Sequence, residues 1–158
     1  MLHTGNKAAD YVLGNWQVNG IADLRSGNPV NITITGDIAN TGNVNYMRPN
    51  VVGDWRIDQP SRAKWFNTAA FAAPAAFTFG NAGRNILRTD PPRRMDLSVF
   101  RKFPIRERVS AEFRAEAYNV LNVVTYGSPT ADFANINFGK VLSAQASRSM
   151  QLGLKLYF

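Results

Sequence analysis

The chain has no cysteine, a single histidine, fewer carboxylates than cations, and no long uninterrupted apolar run. Each lack removes a class of protein. Without cysteine there is neither a disulfide scaffold nor a thiolate metal site. His3 has no carboxylate at ligand spacing, so no metal or cofactor site is expected. A membrane-spanning helix needs about 20 mostly apolar residues, and charged or polar residues interrupt every such window here. Met1 to Lys7 also lack the charged-then-apolar pattern of a secretion signal. For an exported chain, that signal is expected upstream.

What the sequence does have is alternation. In Ser149 to Phe158 the residues Met150, Leu152, Leu154, Leu156 and Phe158 fall on one side, and Gln151, Gly153, Lys155 and Tyr157 on the other. Side chains of a β-strand alternate between faces, so this is a strand with one oily and one wet side. An exposed Leu-Tyr-Phe ending is a liability in water but suits the closing strand of a transmembrane barrel.

The same period recurs upstream. Trp16, Val18, Gly20, Ala22 and Leu24 share a face, with Ile21 the exception, and Met95, Leu97, Val99 and Phe103 share another, interrupted by Arg101. In the segment from Val109 to Leu121, Ala and Glu also permit an amphipathic helix. A strand is preferred, because Glu112, Arg114 and Glu116 at spacing two would be spread around a helix.

Strands are therefore expected near 15–25, 95–103, 109–121 and 148–158, within a partial barrel over 13–158 that follows a poorly ordered start, 1–12. The fold class is mainly β, with antiparallel up-and-down strands forming about the last four of a transmembrane β-barrel. A long loop (36–90) and a medium loop (122–146) flank a short turn at Pro104 to Arg108, as in barrels with long extracellular loops and short periplasmic turns.

The formal net charge is +7, and Gly36 to Arg94 carries eight cations against four aspartates, +4 of that total. Tyr46, Trp55, Trp65, Phe66, Phe71, Phe77 and Phe79 lie in the same stretch without period. Arginine interleaved with aromatics suits glycan or nucleic-acid binding, but an extracellular loop over a barrel mouth is preferred, and no nucleic-acid partner is expected. Gly80, Gly83 and Arg84 lack the strand and the Lys-Ser or Lys-Thr of a phosphate-binding loop. Glu112 and Glu116 read as a cross-strand charge ladder rather than an acid–base pair, so no catalytic residue and no enzyme activity are expected. Trp16, Phe103, Tyr157 and Phe158 read as anchors at the membrane interface.

Several motifs in order carry a resemblance: Phe79 to Arg88, Met95 to Phe103, Phe113 to Asn122, Asn137-Phe-Gly139 and the terminal strand. Together with Trp16 and the Ser26-Gly-Asn-Pro29 kink, they resemble the C-terminal end of TonB-dependent outer-membrane receptors. The nearest type is the class with an N-terminal carboxypeptidase-regulatory-like domain. The resemblance implies residence in the outer membrane of a Gram-negative-type bacterium. It also implies a role as wall, lumen lining and extracellular loop of a transporter, inactive alone.

By the same resemblance Gln151, Gly153, Leu156 and Phe158 match the signal read by the barrel-assembly machinery. Asp96, Ser98, Glu112, Arg114, Glu116 and Lys155 would face the lumen or a plug. The rest of the barrel and the plug would be partners outside this sequence, TonB would be reached only through such regions, and outer-membrane lipid would surround the wall. A chain of this length matches only the last portion of such a receptor, so a fragment is expected. The competing reading is a soluble antiparallel β-module for binding or adhesion, with the basic aromatic loop as its recognition surface.

Overall fold

A computed structural model describes residues 11–12, 14–42, 44 and 47–158. Most of the start expected to be poorly ordered, including His3, and the loop residue Tyr46 lie outside the described residues. The chain divides into two compact units, one of residues 1–24, 93–123 and 146–158, the other of 25–92 and 124–145.

The first unit is an antiparallel sheet of β1 (Trp16–Leu24), β6 (Arg93–Arg106), β7 (Val109–Tyr118) and β8 (Ser149–Tyr157), ordered β1-β6-β7-β8. All four are the alternating segments, and Val109–Tyr118 is a strand. β6 extends beyond the expected stop at Phe103. Pro104 and Ile105 stay in the strand through a register shift between Pro104 and Arg106, which leaves Glu107-Arg108 as the turn. A bulge is where a sheet tolerates proline, because the missing N–H breaks no regular rung.

β7 stops three residues short of Leu121 for a local reason. Asn119 and Asn122 both adopt positive φ, 52° each, a conformation that asparagine enters more readily than most residues. Asn119 then secures the corner. Its side chain accepts from the Val123 N–H at 3.0 Å and donates to the Val123 carbonyl at 3.0 Å, and its own N–H donates to Asp96 Oδ1 at 2.8 Å.

The second unit is built from the two segments read as loops and from residues 25–35, where the β-branched run Val30 to Thr35 reads in sequence as extended chain beyond the Pro29 kink. Short ladders pair β2 (Pro29–Val30) with β5 (Leu87–Arg88) and β3 (Asn50–Val51) with β4 (Phe71–Ala72), and one 3-10 turn spans Thr68–Ala70. These elements enclose a core of Val30, Ile32, Phe66, Ala70, Phe71 and Leu87. Phe66, Phe71 and Phe138 meet edge to face with centroids 5.1 to 5.9 Å apart, a preferred aromatic geometry. Phe138 comes from the second segment, so the two loops share one core.

Backbone and side chain seal that junction. Thr33 and Asp132 form a parallel bridge, and Asp132 accepts from the Thr35 hydroxyl at 2.7 Å and the Thr35 and Ala134 N–H groups at 3.2 and 3.1 Å. Gly80 lies where a Cβ would stand 1.9 Å from the Arg48 carbonyl oxygen, so close backbone approach accounts for this glycine.

Candidate functional site

The register of the four strands sorts their side chains into two opposite surfaces. On one, Trp16, Arg101, Phe113 and Leu154 form a row, followed by Val18, Val99, Ala115 and Leu152, then Gly20, Leu97, Ala117 and Met150. Apart from Arg101, every member is apolar or glycine. Leu152 and Leu154 are 73% and 71% exposed. Contiguous exposed apolar area beyond a few hundred Å² marks a surface made for something other than water.

The opposite surface is polar in the same register. Its rows are Asn19, Ser98, Glu116 and Gln151, then Gln17, Phe100, Arg114 and Gly153, then Lys102, Glu112 and Lys155. Asp96 stands on this face opposite Ile21. The six candidates Asp96, Ser98, Glu112, Arg114, Glu116 and Lys155 thus share one face with Gln151 and Gly153. Leu156 is on the other face, opposite Ala111, and Phe158 follows the last paired residue, Tyr157.

The polar groups on this face satisfy one another. Arg114 donates to Glu112 at 3.0 Å and lies 3.7 Å from Glu116, while Gln151 donates to Glu116. Tyr157 was expected as an outward interfacial anchor, but strand parity puts it on the polar side. There its hydroxyl donates to Glu112 at 3.0 Å, and the ammonium groups of Lys102 and Lys155 lie 4.6 and 4.7 Å from its ring. Arg94 and Asn119 both bond to Asp96 Oδ1, which makes Asp96 a clamp at the β7 corner. Hollows of about 460 and 270 Å³ open on this face, beside Gln17, Lys102 and Glu112 and beside Asn19, Ser98 and Glu116.

Sequence reading marked Arg101 only as an interruption of an apolar face. It is 2% exposed, ringed by Tyr11, Trp16 and Phe103, and its guanidinium carbon is 4.5 Å from the Phe103 centroid. Its Nη1 donates to the Val12 carbonyl, which also accepts from the Trp16 indole at 3.0 Å, while Nε has no partner. Asn119 and Asp132 were also missed. Both are short polar residues at positions where no apolar period exists to mark them.

In the second unit, Asp132 and Asp37 hold their protons less tightly than ordinary aspartates. For Asp132, partial burial pushes the pKa up, and the bonds from Thr35 and the Ala134 N–H together outweigh it and bring it down. For Asp37, the Thr41 N–H is the largest cause of the lowering, opposed by desolvation and reinforced by the Gly42 N–H. Among the described residues no cluster of His, Asp or Glu has the arrangement of a metal site.

A sheet with an exposed apolar surface on one side and a self-paired polar surface on the other is a piece of transmembrane barrel wall. The comparison with protein families agrees: the model for the outer membrane beta barrel domain matches residues 1–151, and the chain belongs to that family. It is therefore an outer-membrane barrel protein of a Gram-negative-type bacterium, and the soluble binding-module alternative is not favoured. Searches of curated proteins and of solved structures give no match.

Proposed function

We propose that this chain is the closing portion of a TonB-dependent outer-membrane receptor, supplying wall, lumen lining and an extracellular loop body while performing no chemistry itself. The observation that carries this reading is the in-register division of the four strands into an apolar and a polar surface. The sheet does not close, and among the described residues no strand pairs with the outer edge of β1 or of β8. Unpaired backbone in a bilayer costs several kcal/mol per group by a rough reckoning, so further strands must complete the wall. The resemblance to receptor C-termini supplies the identity of the missing parts: more barrel, a plug against the polar surface, and TonB contact through the plug side.

Connection length orients the wall. The turn Glu107-Arg108 is short and the other connections are long, so in this reading the turn faces the periplasm and the long connections are extracellular, as in barrels with short periplasmic turns. The terminal residues Gln151, Gly153, Leu156 and Phe158 serve barrel assembly in this reading. Gly153 supports it, because a Cβ there would meet only Arg114 Cβ at an ordinary 4.0 Å. Sheet packing does not demand that glycine.

The test uses cells carrying the complete gene and a panel of labelled iron chelates, cobalamin and oligosaccharides as uptake probes. Uptake of one probe should vanish both when Ser149 to Phe158 is deleted and when TonB is absent. Uptake that persists without TonB would leave the barrel and remove the receptor.

A further inference from the structure

We infer that Arg101, with the rings of Trp16, Tyr11 and Phe103, forms a binding site on the outer surface of the wall for the phosphate of a membrane phospholipid. The inference rests on placement in the outer membrane and not on TonB dependence.

Its position is the first argument. Arg101 shares a row with Trp16, Phe113 and Leu154 on the apolar surface, where every other member of the adjoining rows is uncharged. A lone cation against hydrocarbon is costly, roughly 2–4 kcal/mol at the midplane and less near the interface, so such residues reach toward headgroups. The guanidinium does so here. Its nearest ring is Phe103 at 4.5 Å, two residues closer to the Glu107-Arg108 turn, and the row itself is four residues from Phe158 along β8. At about 3.3 Å per residue and a tilt near 40°, that is about 10 Å from the periplasmic end of the strand.

The second argument is unspent bonding capacity. Guanidinium offers five donors in a planar fork, and this one has a single backbone carbonyl as hydrogen-bond partner among the described residues, with Nε buried and unpartnered. No carboxylate of the described residues lies in ion-pair range of it. Aromatic faces stabilise the cation but accept none of its directed bonds well. A phosphodiester oxygen matches both the charge and the fork. Phosphate binding requires exchange of the Val12 carbonyl for a phosphate oxygen, and Tyr11 and Val12 are themselves 52% and 59% exposed.

The complete barrel, expressed from the full gene and held in nonionic micelles, is titrated with phosphatidylglycerol, with diacylglycerol of the same acyl chains, and with inorganic phosphate, and bound lipid is counted by native mass spectrometry. Wild type should retain phosphatidylglycerol about five- to tenfold better than Arg101→Gln, as expected for one basic group at a membrane surface. Arg101→Lys should fall between, because it keeps charge and loses the fork. Diacylglycerol should not compete. Equal retention by Arg101→Gln overturns the site, and displacement of the lipid by equimolar inorganic phosphate makes it a free-anion site and overturns the lipid assignment. If Arg101→Gln loses its β-sheet circular dichroism, Arg101→Lys and Trp16→Leu decide between them. Unchanged retention in both overturns the inference, and a two- to threefold loss in each sustains it.

Discussion

Replacing Leu152 by arginine separates a membrane-facing wall from a solvated sheet, because the two environments assign the change very different free energies. Leu152 lies near the middle of β8, on the apolar surface in a row with Val18, Val99 and Ala115, and is 73% exposed. If that surface meets water, an exposed substitution away from any special feature changes stability by about 0.5 kcal/mol or less. If it meets hydrocarbon, arginine near the midplane costs about 2–4 kcal/mol, which is roughly 30- to 700-fold in the folding equilibrium. The Arg101 cage offers no relief, since it lies one row away across Phe113 and is already filled by its own cation. The assay is urea unfolding of the complete barrel in lipid vesicles, with Lys155→Arg on the polar surface as the control expected within about 0.5 kcal/mol. A Leu152→Arg barrel as stable as the control would refute the reasoning that divides the two faces.

Acid should loosen the second unit: the pKa values of Asp132 and Asp37 are lowered in the folded chain, so their stabilisation is complete above the unfolded value near 4 and is lost as pH falls through the folded values. Protease resistance of residues 25–92 should accordingly hold from neutrality to about pH 5 and decline below about pH 4. Asp132→Ala should weaken it at neutral pH by about 1–2 kcal/mol, discounted for partial exposure, and should increase cleavage between Thr33 and Asp37. Asn119→Ala leaves the part-buried Val123 N–H and carbonyl without their side-chain partner and puts alanine at a positive φ, and should cost about 2–3 kcal/mol in the same unfolding assay. Gly80→Ala should open the loop body to protease, because its Cβ has no room beside the Arg48 carbonyl; unchanged resistance would mean that the backbone shifts freely there.

The four long strands were legible because a bilayer wall requires strict period two over many residues, and Met150 to Phe158 obeys it without exception. The face of each candidate lumen residue followed from the same parity. Tyr157 shows where composition misled: an aromatic near a chain end suggests an interfacial anchor, yet parity had already placed it with Lys155 and Gln151. The loop body was opaque for a different reason. Its core takes single side chains from scattered places, such as Ile32, Phe66, Leu87 and Phe138, and no period links positions so chosen. Phe77 and Phe79 look the same in sequence as Phe66 and Phe71, but the first pair is 75% and 71% exposed while the second is buried.

These two kinds of order place different demands on the chain. The loop body carries its own apolar core and closes its junction with its own side chains, as Asp132 does with Thr35 and Ala134. The sheet is the reverse: its apolar surface is exposed, its polar side chains bond from one row to the next, and its two outer edges present backbone groups with no strand beside them among the described residues. An edge of that kind invites pairing in water and is excluded from lipid. Any strand that pairs with β1 or β8 must also continue the parity of the rows, because a slip of one residue would carry charge onto the apolar surface. The rows ending in Leu24 and Leu154 therefore select their neighbours by face as well as by hydrogen bonding, which is how an open sheet specifies the register of the barrel that completes it.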